Sequence, residues 1–133
     1  MRNVLCAAAG AAVLVALGGP VFAAGDAEKG KAAFPTKCGI CHQVGPGAKT
    51  VIGPQLNGIV GRKAASIADF PSYSAGMKKL GDEGYVWTEQ HIDTWIADPK
   101  AMIPDSIMSI AFQGIPDAGE RADIIAYLKT LSQ

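Results

Sequence analysis

Hydrophobic and polar positions divide the chain into an apolar leader, one helix, a long stretch without period and three further helical patterns. Arg2 precedes a run from Val4 to Leu17 rich in Ala, Val and Leu, and Gly18-Gly19-Pro20 breaks that run before Val21-Phe22-Ala23-Ala24. A positive start, an apolar middle and small residues at the exit make a secretory signal peptide. Residues 1–23 are therefore expected to be removed, by a cut after Ala23 or Ala24, which leaves 24–133 as one domain. The alternative is a retained anchor, because Val4 to Ala24 is about long enough to span a bilayer.

In the remaining chain Asp26 is a good N-cap, Glu28 suits the positive end of a helix dipole, and Gly30, Ala33 and Phe34 recur at i, i+3 and i+4. A short helix is expected from about Ala27, with a kink or tightening at Pro35, which removes a donor and crowds the Lys31 carbonyl. From Gln43 to Arg62 glycines and prolines punctuate a segment with no sustained period, and its apolar content (Val51, Ile52, Leu56, Ile59, Val60) predicts a loop pinned to a ligand. Ser74 caps an expected helix over Ala75 to Leu80, ended by Gly81 to Gly84. Thr88 caps another that carries Ile92, Trp95 and Ile96 on one face and stops at Asp98-Pro99. The last pattern is the clearest: Asp117 with Glu120 forms an Asp-type capping box, and Ile124, Tyr127, Leu128 and Leu131 form the stripe. No stretch alternates as a sheet does, so the fold class is all-α with long connections.

Directly after the first helix stands Cys38-Gly39-Ile40-Cys41-His42. A Cys-x-x-Cys-His run is the attachment pattern of a c-type haem. Each thiol can add to one vinyl group to give a thioether, and His42 then falls under the iron as its proximal ligand. The competing readings need more than is present: a zinc site wants two further ligands at matching spacing, and a thioredoxin dithiol wants strands around it.

Composition agrees with one small domain: 133 residues, 49% hydrophobic, 18% charged and 7% aromatic. Cys6 lies in the leader, so both remaining cysteines belong to the haem motif and no structural disulfide is available. With 12 basic and 12 acidic residues, there is no basic stripe for nucleic acid and no acidic tail. Lys49, Lys63, Lys78-Lys79 and Lys100 form either a docking patch or an ordinary solvated surface. A core from about 110 residues is marginal alone, so a poorly folded haem-free form is expected.

His42 leaves one iron position, for which Met, His or nothing are the options. His91 lies at the edge of the Ile92/Trp95/Ile96 stripe, where a histidine is usually solvated. Met77 and Met102 suit core filler. Met108 follows Ile103-Pro104-Asp105-Ser106-Ile107, an expected irregular segment from which a side chain can be aimed inward.

From Gly25 to Leu131 the chain resembles a class I cytochrome c of the bacterial periplasmic and mitochondrial type. The resemblance rests on Gly25-Asp26-Ala27-Glu28-Lys29-Gly30 with Phe34, on Cys38-x-x-Cys41-His42 and on Gly53-Pro54-Gln55-Leu56-Asn57-Gly58. Further along it rests on Gly61-Arg62-Lys63, Tyr73-Ser74, Trp87, Asp98-Pro99-Lys100, Ile103-Pro104, Met108 and Ile124-Ile125-Ala126-Tyr127-Leu128-Lys129. It implies the cytochrome c fold around one covalent haem c, held through Cys38 and Cys41, with His42 and Met108 as iron ligands. It also implies a Pro54 carbonyl that accepts from the His42 ring, and Arg62, Tyr73 and Trp87 as donors around the buried propionates, with Ser106 near them. Gly30 and Phe34 would meet Tyr127 where the terminal helices cross. Three features depart from the family pattern: Trp95 replaces the usual tyrosine beside the methionine, Pro35 interrupts the first helix, and Ser109 to Gly114 is about two residues longer than usual.

The function this implies is that of a monomeric periplasmic one-electron carrier, not an enzyme, exchanging electrons with respiratory, photosynthetic or dehydrogenase partners that dock transiently at the haem edge. No stable membrane insertion is expected once the leader is gone. The rival reading is a gas-binding or peroxidase-like haem protein with an open sixth position, supported only by Trp95 and the longer loop.

Overall fold

The computed structural model describes residues 24–131; the leader read above, residues 1–23, lies outside the described residues. Six helices follow in chain order: α1 (Ala27–Lys37), α2 (Ala75–Asp82), α3 (Glu89–Ala97), α4 (Pro99–Met102), α5 (Ile107–Ala111) and α6 (Ala118–Lys129). Among the described residues there is no strand; one isolated antiparallel bridge pairs Lys63 with Val86. The expected all-α class is the observed one.

The helix starts follow from their caps. Asp26 accepts from the Glu28 and Lys29 amides at 2.9 and 3.2 Å. Ser74 accepts from Met77 N, Thr88 from His91 N and Asp117 from Glu120 N. Each side chain satisfies an amide that the helix itself leaves unpaired. Glu120 does not complete the box in the expected way. Its carboxylate lies 3.2 Å from Lys37 Nζ and so joins α6 to the end of α1.

α1 runs through Pro35 without interruption. The proline removes one hydrogen bond to Lys31, and only two helical residues follow it, so little is lost. Phe34 O ends the helix by accepting from both Cys38 N and Gly39 N at 2.8 Å. At the other expected stop, Asp98 closes α3 and at once caps α4, with Pro99 at the first helical position where its missing N–H costs nothing. The segment before Met108 is irregular from Ile103 to Ser106, as expected, and turns helical at Ile107. Ser106 caps the short helix α5, so Met108 sits in a helical turn and not in irregular chain.

α1 crosses α6, and this crossing joins the two ends of the described chain. Phe34 meets Tyr127 edge to face with centroids 5.7 Å apart. Gly30 is buried against the α6 backbone itself, where a Cβ would overlap the Asp123 carbonyl and approach Ile124 N. This is the close approach of the terminal helices that a glycine is expected to allow, and it falls one turn before Tyr127 on α6. Asp26 N adds a bond to Asp123 Oδ1 at 2.6 Å. α3 packs beside α6 through Ile92, Trp95 and Ile96, and the Arg121–Asp93 pair at 2.7 Å ties them, with Arg121 also donating to the Ile115 and Pro116 carbonyls. Ile115 and Ile124 are the most deeply buried large side chains.

The 43–62 segment is held by hydrogen bonds within the chain. Asn57 and Gly45 exchange two hydrogen bonds at 2.7 and 2.8 Å, Leu56 N donates to Gln43 O, and Gly58 N donates to Leu131 O. The loop is thereby fixed both to itself and to the end of α6.

Two outcomes are expected in denaturant unfolding of the haem-loaded protein. Gly30→Ala forces the helices apart and costs about 3 kcal/mol. Asp117→Ala leaves the first α6 amides uncapped and costs about 1 kcal/mol.

Candidate functional site

The haem motif forms its own helical turn. Cys38 O accepts from Cys41 N at 3.1 Å and from His42 N at 2.9 Å. Positions i, i+3 and i+4 of such a turn share a face, so both thiols and the imidazole emerge together. All three line a cavity of about 330 Å³. The walls are mostly apolar and come from the end of α1, the 52–74 segment and α2, α3, α5 and α6.

His42 is oriented from behind. Its Nδ1 lies 2.8 Å from Pro54 O. A carbonyl only accepts, so Nδ1 carries the hydrogen and Nε2 keeps a free lone pair, the form a metal ligand needs. Burial lowers the pKa of His42 and the nearby Arg62 charge lowers it further, against the Pro54 bond, so the ring is neutral. Gly53 makes the arrangement possible. Its amide donates to Cys41 O at 2.7 Å, and a Cβ there would run into the imidazole ring.

Burial pushes the Cys38 thiol up to about 12, and the Glu120 carboxylate adds to the effect. Neither cysteine is in a disulfide, and both are partly buried and disposed along one face of the turn. Two thiols, a neutral imidazole and an apolar surround fit a covalently attached haem. Among the described residues no group of three or more His, Cys, Asp or Glu is placed to hold a bare metal ion.

The remaining predicted residues also come together. Pro54, Arg62, Tyr73, Trp87, Ser106 and Met108 all line the cavity. Arg62 is anchored by Nη1 donating to the Gln55 and Asn57 carbonyls at 3.0 and 3.2 Å; burial lowers its pKa, and it brings positive charge to a largely apolar wall. The Tyr73 hydroxyl accepts from Ile67 N at 3.4 Å, and its ring packs edge-on against Phe70. Burial raises the Tyr73 pKa, keeping its proton available for donation. Trp87 is held by two backbone bonds across the Lys63–Val86 bridge, to Arg62 O and from Gly61 N, both 2.8 Å. Ser106 is buried, and its oxygen accepts from Met108 N at 3.3 Å.

The alternatives for the second ligand separate in space. His91 does not line the cavity; it stacks on Tyr85 with centroids 4.2 Å apart, and its Nδ1 lies 2.6 Å from Val86 O. Met102 lines a different, more open cleft beside α2. Met77, expected as core filler, is buried in the core and lines the cavity as well. Trp95 lies in the wall beside Trp87, with ring centroids 5.8 Å apart. α5 continues past Met108 to Ala111 and is followed by irregular chain to Gly114; Ile107 and Ile110 on α5 are exposed at 55% and 74%.

Comparison with known proteins gives the family. A family model described as Cytochrome c matches residues 27–132. Cytochrome c2 of Agrobacterium tumefaciens (strain II Chrys) is 48% identical over 104 residues, covering 78% of this chain and 90% of its own. Cytochrome c2 of Rhodomicrobium vannielii is 41% identical over 130 residues, covering 98% and 97%. Among solved structures, cytochrome c2 from Rhodospirillum centenum superposes with a TM-score of 0.69 at 36% identity, covering 82% of this chain and all of that one. Cytochrome cH from Methylobacterium extorquens gives 0.68 at 42% identity, covering 80% and 99%. With the motif, the cavity and these relatives in agreement, the chain belongs to the cytochrome c family, and Cys38 and Cys41 are the attachment points of its one covalent haem c.

Proposed function

We propose that the protein is a one-electron carrier of the periplasm, exported by its leader, cut after Ala23 or Ala24, and working as a monomer that docks transiently with redox partners at the haem edge. The observation that carries this reading is the convergence of Cys38, Cys41, His42 and Met108 on one cavity, with the His42 ring locked by Pro54. The cytochrome c2 relatives support it. Among the described residues no helix is long and apolar enough to cross a membrane.

When bound, the haem supplies a ferric/ferrous couple. The chain's own residues set its terms. His42 presents Nε2 from one ring orientation, and Met108 offers a thioether, a ligand that favours the reduced state. Met77 shares the cavity, but it is packed into the core, whereas Met108 is held by the first turn of α5 behind its cap Ser106 and occupies the family's methionine position. Arg62, Tyr73, Trp87 and Ser106 line the cavity and would serve as partners of buried propionates, since an unpaired buried charge is costly. The apolar walls exclude water, so little has to rearrange when the charge changes by one unit.

Carbon monoxide tests this reading. The reduced haem-loaded protein is expected to keep its absorption spectrum unchanged under carbon monoxide, whereas Met108→Ala binds the gas and shows a lower reduction potential. A parent protein that binds carbon monoxide readily has an open or weakly held sixth position, and the carrier reading then gives way to a gas-binding or peroxidase-like one.

A further inference from the structure

Asp105 lies in the turn between α4 and α5, three residues before Met108, and it is fully exposed. Despite that exposure its carboxylate is held at both oxygens by a segment about thirty residues away. Oδ2 accepts from Gly76 N at 2.9 Å and Oδ1 accepts from Ser74 Oγ at 3.1 Å. The Gly76 bond, with the Ser74 hydroxyl adding to it, keeps the carboxyl below the usual range, so it is ionised at neutral pH.

The segments at both ends of this link reach the cavity, although Asp105 itself does not. Ser74 and Met77 line it from α2, and the Ser74 oxygen also accepts from Met77 N at 3.2 Å, so the hydroxyl is fixed on both sides. Ser106 and Met108 line it from the start of α5, joined by the bond from Met108 N to Ser106 Oγ. The turn is closed by Ser106 N to Ile103 O at 3.1 Å and by a bond from Ser109 Oγ to the same carbonyl. Hydrogen bonds thus run from the start of α2 through Asp105 and its turn to Met108. Gly76 permits the approach: a Cβ there would stand 2.6 Å from Asp105 Oδ1 and 2.8 Å from Ile103 Cγ2. The family resemblance does not call on Asp105, and an exposed carboxylate contributes nothing to the core. What it does is join two walls of the cavity from outside.

We propose that Asp105 is a positioning residue for the sixth iron position: its bonds to Ser74 and Gly76 clasp the turn bearing Met108 against α2 and keep outside ligands from the iron. This rests on Met108 as the ligand. A thioether leaves the iron when its turn swings away, and two hydrogen bonds to a charged acceptor oppose that local opening.

The test uses the ferric haem-loaded protein, with imidazole as the entering ligand and the far-red sulfur-to-iron absorption band as the sign of bound methionine. D105A is expected to retain the band but to bind imidazole roughly tenfold more tightly than the parent, the effect of about one hydrogen bond. Asp105→Asn falls between, because its amide oxygen still accepts from Gly76 N. D117A, which loses a cap remote from the turn, binds imidazole as the parent does. If D105A binds imidazole like the parent, or if D117A gains as much as D105A, the clasp is refuted and Asp105 is a general stabiliser. If the parent itself lacks the far-red band, the Met108 reading fails and the clasp falls with it.

Discussion

The bond between the His42 ring and the Pro54 carbonyl is the joint on which the site depends. On one side is a turn made rigid by its own backbone bonds, which delivers two thiols and an imidazole to one face. On the other is a loop with little regular structure, whose shape has to come from elsewhere. The 2.8 Å contact couples them. It selects the tautomer of the ring, places Gly53 over it and hands the loop on to Arg62, which is itself held by the Gln55 and Asn57 carbonyls. Orientation of a ligand by a partner behind it is how a protein sets the properties of a metal it touches only once or twice.

Much of this was legible in the sequence because the signals were local. Asp26, Ser74, Thr88 and Asp117 announce four helices by side-chain chemistry that operates within three residues. Cys38-x-x-Cys41-His42 is equally local, since one turn of helix contains the whole motif. What escaped depended on partners distant in the chain. α5 carries too few residues to show a period, and Pro35 looks like an interruption until its place at the end of α1 is known. Asp105 reads as an ordinary turn residue, because its partners Ser74 and Gly76 are remote in sequence. Met77 has an unremarkable helix position, and only the fold turns its side chain to the cavity.

The two departures near Met108 have different physical characters. Trp95 lies within the wall and against Trp87, so it affects the shape and polarity of the interior. α5 and the chain beyond it act outward: exposed Ile107 and Ile110 add apolar surface beside the cavity mouth, where Ile40 and Ile52 are also exposed. Apolar contacts of this kind carry no directional demand.

The crossing of α1 and α6 has a consequence in time. Among the described helices, the one that leads into the haem motif is made first and the one that closes over it last. Gly30 finds its place only against Asp123 and Ile124, and Cys38 acquires its high pKa from a burial and a carboxylate, Glu120, that α6 brings. Before α6 closes, the Cys38 thiol lacks that burial and that carboxylate, both of which disfavour the thiolate. The topology therefore leaves the attachment motif easier to reach before its last helix is in place than after it.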